Sequence, residues 1–123
     1  MKTPVRVTNN QNPGKITKLG NNKYYYNYDI QEIENNISNG IDNTNTKCYS
    51  YIQIYLSGNP NYKDCVEGVI RAYLSETEEF DLINSYNCKI LGLLSSDSSE
   101  HEYKEYLALV QNIKSKVKMD FSD

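Results

Sequence analysis

The hydrophobic periodicity of this sequence changes once, near residue 58, and that change constrains the fold more than any other feature. Before it, apolar side chains recur at every second position over residues 23–34 and 47–57, which is typical of half-buried strands. After it, they recur at spacings of three and four, which is typical of amphipathic helices. The chain has 123 residues, enough for one domain around one core. The sequence therefore predicts an α+β fold with an N-terminal extended arm and antiparallel β-ribbon, followed by a three-helix C-terminal bundle.

The two strands are expected to pair as an antiparallel ribbon over residues 23–57. The first carries an apolar stripe at its even positions, namely Tyr24, Tyr26, Tyr28 and Ile30. The second has an aliphatic face and a tyrosine-rich face, formed respectively by Cys48, Ser50, Ile52, Ile54 and Leu56 and by Tyr49, Tyr51 and Tyr55. Residues 35–46 are rich in Asn, Gly, Ser and Thr and are predicted to form a loop. Because a lone two-stranded ribbon is marginally stable, it must pack on the helices, gain the N-terminal segment as a third strand, or meet another chain.

Residues 1–22 are predicted to be a polar arm outside the main domain, which we place at residues 23–119. Prolines and glycines interrupt this segment, and it has no sustained periodicity beyond a short alternation at residues 4–8 that is compatible with a small strand. Such an arm is either disordered alone or lies on a neighbouring subunit.

Three helices are predicted at about residues 60–74, 76–91 and 99–118. Ser75 with Glu78, and Ser99 with Glu102, have the spacing of a capping box and are predicted to start the second and third helices. Each helix is expected to bury one apolar face. These faces are Tyr62, Cys65, Val66, Val69, Ile70 and Tyr73 on the first helix, Phe80, Ile83, Asn87, Ile90 and Leu91 on the second, and Tyr103, Tyr106, Leu107, Val110, Ile113 and Val117 on the third.

The sequence carries no motif that predicts catalysis, a metal site or a cofactor: it has no Gly-rich phosphate loop, nucleophile elbow or zinc-binding spacing. Its three cysteines are an odd number without a CxxC pair, so we expect reduced thiols, with Cys65 as a small core residue. The acidic residues that begin the second helix complement the helix dipole, which explains them without acid–base chemistry. Arg71 is a candidate partner for one of those carboxylates.

Tyrosine supplies nearly all the aromatic surface, with 12 Tyr against 2 Phe and no Trp. A ring with a polar tip suits interfaces where one edge packs and the hydroxyl stays wet. A stacking platform for single-stranded nucleic acid is the alternative, but acidic residues on the same strand and a net charge of −3 argue against it. We therefore predict a subunit-contact surface formed by Tyr24, Tyr26, Tyr28, Tyr49, Tyr51 and Tyr55.

Several short sequence segments, taken in order, resemble small proteins encoded in the structural gene blocks of phages and prophages of gut Bacteroidetes, including crAss-like phages. They are residues 23–29 (KYYYNYD), residues 69–73 (VIRAY), and residues 82–87 (LINSYN) followed by residues 102–106 (EYKEY). The similarity covers roughly residues 23–119, and none of the motifs is a catalytic signature.

The resemblance implies a non-enzymatic virion component, a small accessory subunit of the head, neck or tail, assembled in the bacterial host cytoplasm. Its partners would be other virion proteins or copies of itself. The alternative is a chaperone of tail or fibre assembly that is absent from the mature particle. We expect no membrane partner, because no run approaches the ~18 apolar residues that span a bilayer, and neither a nucleic acid nor a small molecule is favoured.

Overall fold

The computed structural model describes residues 1–35, 46–93 and 98–122. Four strands, β1 (Val7–Asn9), β2 (Ile16–Gly20), β3 (Lys23–Asn35) and β4 (Thr46–Ser57), form one antiparallel sheet in the order β1–β4–β3–β2. Three helices follow: α1 (Tyr62–Tyr73), α2 (Glu76–Ile90) and α3 (Ser98–Asp120). The predicted α+β class, with strands first and three helices after them, is confirmed. The loop predicted at residues 35–46 lies outside the described residues, apart from its two end residues, which belong to β3 and β4.

The N-terminal segment belongs to the sheet, so the prediction of a separate arm at residues 1–22 is wrong. β1 pairs with β4 at one edge, and β2 pairs with β3 at the other. Asn21 and Asn22 join β2 to β3 with φ of 51° and 62°, the sign pattern of a type I′ hairpin turn. At the start of the chain, the Lys2 amide donates to the Tyr73 carbonyl at 2.9 Å. These residues supply partners to backbone groups that a two-stranded ribbon leaves unpaired.

The core lies between one face of the sheet and the helices. Tyr26 stands opposite Ile54, and Tyr28 stands opposite Ile52, so the aromatic stripe of β3 and the aliphatic stripe of β4 share a face. Against this face pack the buried residues of α1 and α3, with Leu74 between α1 and α2. The buried helical residues of this core are Cys65, Val66, Val69, Ile70, Tyr106, Val110, Ile113 and Val117.

A β-bulge interrupts β3 where the predicted stripe of even-numbered residues was expected to continue. Between Tyr28 and Gln31 the register shifts by one, so that two β3 residues face Tyr51 alone. Asp29, in the bulge, has φ of 54°, a left-handed conformation that Asp tolerates better than most residues. From Gln31 onward, the odd-numbered residues of β3 stand opposite the core-facing residues of β4: Gln31 faces Ser50, and Ile33 faces Cys48. Ile30 therefore does not continue the stripe of even-numbered residues.

The Arg6 side chain connects the bulge of β3 to the neighbouring strand β4. Its guanidinium donates to the Asp29 carbonyl at 2.6 Å, to the Ser50 carbonyl at 2.9 Å and to the Ser50 hydroxyl at 2.7 Å. It also forms an ion pair of 3.1 Å with the Asp29 carboxylate, which in turn meets the Lys116 ammonium at 3.3 Å. One side chain next to β1 thus contacts β3 and β4, and the carboxylate that it holds reaches α3.

The starts of the second and third helices differ in how well the sequence predicted them. Ser75 caps α2, and the capping box with Glu78 is present in both directions, as predicted. The second predicted cap is wrong, because α3 begins at Ser98 and Ser99 is a buried residue of its first turn. The spacing of a capping box recurs by chance where Ser and Glu are common, so it locates a helix start only within a residue or two.

Gly68 allows α1 to approach β4 closely. A Cβ atom at this position would lie 2.6 Å from Cγ2 of Ile54. Ile54 is buried and β-branched, so its methyl group has few rotamers in which to move away. We expect Gly68→Ala to lower the free energy of unfolding by about 1 kcal/mol, since overpacking outweighs the gain in helix propensity.

The double variant Gly68→Ala/Ile54→Leu tests this account, because leucine lacks the methyl group on Cβ that would clash. Urea unfolding of the four proteins of the cycle should show a favourable coupling of about 1 kcal/mol between the two sites. Strict additivity of the two changes would contradict a clash between them.

The Arg6 contacts give a second prediction. Lysine retains the charge but cannot reach two carbonyls, a hydroxyl and a carboxylate together. We therefore expect Arg6→Lys to cost about 1–2 kcal/mol and to speed hydrogen exchange of the amides of β1 before those of β4. Lys18→Arg on β2 is the control, and equal behaviour of the two variants would contradict the role of Arg6.

Candidate interaction surface

The second helix presents an apolar surface to solvent. No residue of α2 is buried, and Phe80, Ile90 and Leu91 are 62%, 62% and 72% exposed. Leu93, just beyond the helix, is 71% exposed. We call these four residues the α2 stripe. The prediction of a buried face on the second helix is wrong for Phe80, Ile90 and Leu91, whereas Ile83 of that face is partly buried against the core.

The opposite side of α2 packs on the domain through aromatic and polar groups. The Tyr86 ring stacks on Tyr103 of α3, with ring centroids 4.4 Å apart and planes 9° from parallel. Leu82 and Ile83 lie partly buried against the core. At the N-terminal end of the helix, the Arg71 guanidinium meets Glu79 at 2.9 Å, which confirms the predicted pairing of Arg71 with a carboxylate of the next helix. These contacts fix the orientation of α2 and turn its apolar stripe outward.

Glu79 is the electrostatic centre of this packing. It accepts hydrogen bonds from the Tyr106 hydroxyl and from Arg71. Partial burial acts to raise the pKa of Glu79, but these two donors and the guanidinium charge outweigh it, so the pKa lies below its usual range. Burial and the same carboxylate raise the pKa of Tyr106. Glu79 is therefore a structural carboxylate that joins α1, α2 and α3.

Three of the six tyrosines predicted to contact other subunits are buried within the protein, so that prediction is wrong for them. Tyr26, Tyr28 and Tyr51 are 0%, 2% and 3% exposed. The first two belong to the core face, where burial raises the pKa of Tyr26, with a further contribution from its hydrogen bond to Asp120. The alternation in the sequence places Tyr26 and Tyr28 on one face of β3. It does not say which face of the sheet the helices cover, which depends on how β3 and β4 pair.

The other three tyrosines remain candidates. Tyr24 is half-buried and its hydroxyl donates to the Asn59 side chain at 2.9 Å. Tyr49 is also half-buried. Tyr55 is 53% exposed and lies edge-on to Tyr25, with ring centroids 6.1 Å apart. Their role in subunit contact stays a prediction, and Tyr55 offers the most free surface.

On the other face of the sheet, opposite the helices, the connection between β1 and β2 covers part of the surface. The Asn27 side chain donates to the Gly14 carbonyl at 2.8 Å and to the Thr17 hydroxyl at 3.0 Å. Because Asn27 alternates with Tyr26 and Tyr28 of the core face, its side chain lies on the face away from the helices. This face is thus occupied near Asn27 and open near Tyr55.

The titratable and nucleophilic groups show no assembled reactive centre in the described parts of the chain. Burial raises the pKa of the Cys65 thiol to about 12, and its side chain is fully buried, as predicted for a core cysteine. Within residues 1–35, 46–93 and 98–122, no three His, Cys, Asp or Glu side chains are grouped so as to hold a metal ion. In those same ranges, no helix has the length and apolar character needed to cross a bilayer.

A cleft of about 440 Å³ lies where the N-terminus meets α2 and α3. Leu74 and Leu82 form part of its wall, and four carboxylates line it: Glu78, Asp81, Glu102 and Glu105. The charge of this cleft disfavours anionic ligands.

Comparisons of the chain with protein-family models, with curated proteins and with solved structures gave no match.

Glu79 provides a test of how α2 is held. Because its pKa is lower folded than unfolded, its stabilising effect is complete above pH of about 4.5 and is lost as pH falls through the lowered value. We expect Glu79→Gln to cost about 1–2 kcal/mol at neutral pH. The difference in unfolding free energy from the unmodified protein should shrink as the pH falls below about 4.5.

The matched control is Glu76→Gln, since the Glu76 carboxylate is 67% exposed and lies 3.8 Å from Arg71. Its cost should stay under about 0.5 kcal/mol. A deficit of Glu79→Gln that is unchanged between neutral pH and pH of about 3 would contradict the assignment to the ionised carboxylate.

Proposed function

We propose that this protein is a non-enzymatic structural protein of a bacteriophage virion, a small accessory subunit that acts through protein–protein contacts. The observation that carries the contact role is the α2 stripe, four large apolar side chains on α2 and the three residues after it, each more than 60% exposed. The phage context rests on the resemblance of the sequence to proteins of phage structural gene blocks.

The physical argument concerns what an exposed apolar stripe costs. Large apolar side chains that are exposed close together on a soluble protein mark a contact site more often than chance exposure does. Ile90, Leu91 and Leu93 lie close together at the end of α2, and Phe80 lies near its start. Full burial of each such side chain contributes about 1.5–3 kcal/mol. In the described chain, α2 also buries none of its residues, although a helix of this length gains most of its stability from packing. A partner seated on the α2 stripe would supply that packing.

Mass spectrometry of purified particles of the encoding phage tests the proposal, with peptide counts scaled to the major capsid protein. A stoichiometric signal supports a virion subunit. Absence from particles together with presence in infected cells contradicts it and favours the assembly chaperone instead.

The stripe itself is tested by Phe80→Ser/Leu91→Ser. Since both side chains are exposed, we expect the melting temperature to change by less than about 2 °C. Incorporation into particles should fall at least about tenfold, the equivalent of 1.4 kcal/mol. Val5→Ser is the matched control, because Val5 is 85% exposed and lies outside the stripe. Normal incorporation of the double variant would rule out the stripe as the contact.

A further inference from the structure

One edge of the sheet is open along the end of β4. β1 pairs with β4 only from Tyr49 to Tyr51, and β4 continues to Ser57. The Asn27 amide donates to the carbonyl of Lys15, the residue before β2, and so points away from β4. Asn27 stands opposite Gln53 on β4, so the backbone groups of Gln53 do not bond to those of Asn27. Because backbone groups alternate in direction along a strand, the amides and carbonyls of Gln53, Tyr55 and Ser57 point out of the sheet.

This edge lacks the features that keep strand edges from pairing with other chains. Gln53–Ser57 contains no charged residue, no proline and no bulge. A second open stretch, on β3 beyond its pairing with β2, carries Glu32 and Glu34. Two copies meeting there would bring carboxylates together. Of these two stretches, the one on β3 carries charged side chains that disfavour pairing between copies, and the one on β4 does not.

We propose that two copies of this chain pair through the β4 edges, antiparallel about a two-fold axis at Tyr55, to give one continuous eight-stranded sheet. The inference deepens the proposed function by naming a contact between copies. The dimer itself does not depend on the virion role, but its presence in a virion rests on the proposed function. The occupant is a second copy, because the segment Gln53–Ser57 itself has no charged residue and its outward backbone groups can pair with those of the same segment in antiparallel register.

The register follows from the outward-pointing residues. With Tyr55 opposite its own copy, Gln53 faces Ser57 of the partner copy, and about six backbone hydrogen bonds form. The strand of the partner ends opposite Gln53, since Gly58, with φ of 96°, turns the chain away after Ser57. β1 begins its pairing at Tyr51, so the entering strand stops short of it. The open stretch therefore has the length that a second β4 would occupy.

The aromatic side chains extend the same contact. The Tyr55 ring is 53% exposed on the face away from the helices and lies edge-on to Tyr25. Pairing about Tyr55 places the two Tyr55 rings side by side, with a Tyr25 ring flanking each. Aromatic cross-strand pairs contribute about 0.2–1 kcal/mol each beyond the backbone bonds. Because the contact is small, we expect a dissociation constant on the order of 10 µM.

Charge substitutions at Tyr55 test the symmetry directly. Tyr55→Lys or Tyr55→Glu alone places like charges opposite each other on the two-fold axis, so each variant should dissociate at least about tenfold more readily. An equimolar mixture of the two variants should form a heterodimer, since opposite charges then meet. Sedimentation velocity over about 1–300 µM measures all three. Gln53→Lys is the control, because it faces Ser57 and should weaken the dimer much less.

Hydrogen exchange supplies a second readout that depends on strand geometry. As the protein concentration rises, exchange at the amides of Gln53, Tyr55 and Ser57 should slow at least about tenfold. Ile52, Ile54 and Leu56 face β3 within one copy, so their exchange should be slow at every concentration. Protection that follows this alternation supports β4 pairing and excludes a contact between side chains alone.

A monomer across the concentration range, or a dimer whose concentration-dependent protection lies on α2, would overturn the proposal. These outcomes are separate from a failure of the proposed function. If the Tyr55 variants are monomeric and the unmodified protein is absent from particles, the dimer stands and the virion role fails. If the protein is stoichiometric in particles but monomeric with unprotected β4 amides, the virion role stands and the dimer fails.

Discussion

The guanidinium of Arg6 is the contact on which the arrangement of the sheet depends. It binds the carbonyls of Asp29 and Ser50 and the Asp29 carboxylate, so it stabilises a bulge whose first residue has a left-handed backbone. The bulge ends the aromatic stripe of β3 and shifts the facing of every later residue of that strand. The Asp29 carboxylate also meets Lys116, which connects the bulge to α3. The edge strand, the bulge and the last helix therefore share one polar cluster.

Tyrosine takes the place that phenylalanine holds in most small cores, and the hydroxyl groups explain this choice. The Tyr26 hydroxyl donates to the Asp120 carboxylate at 2.5 Å, at the end of α3, and the Tyr106 hydroxyl donates to Glu79 of α2. Each ring buries apolar area while its hydroxyl satisfies a carboxylate at the margin of the core. The first contact joins β3 to the end of α3, and the second joins α3 to α2. Polar contacts of this kind hold α2, which leaves its apolar stripe free.

The two surfaces proposed for assembly differ in chemistry. The α2 stripe offers side-chain apolar area and accepts any partner of complementary shape. The β4 edge offers backbone donors and acceptors in a fixed register, which favour a strand and above all its own copy. They belong to different elements, the first on the outer side of a helix and the second on a sheet edge. A protein with both surfaces can pair with its own copy and still bind a different protein, which is compatible with the proposed accessory role.

The sequence by itself determined the class of β3, β4 and the three helices, because a period of two or of 3.6 is imposed by backbone geometry and survives any packing. It also predicted the core role of Cys65, the Ser75 cap and the pairing of Arg71 with a carboxylate of the next helix, although not which carboxylate. The hairpin of β2 and β3 had a local signal in Asn21 and Asn22, whose positive φ values suit a tight turn.

Only the tertiary structure decided which stripe is covered. Phe80 and Leu91 look like core residues in the sequence but face solvent, whereas Tyr51 looks like a surface residue but is buried. Whether a side chain is buried depends on the strand register and on which element packs against it. Both are set by contacts between residues that are far apart in the chain.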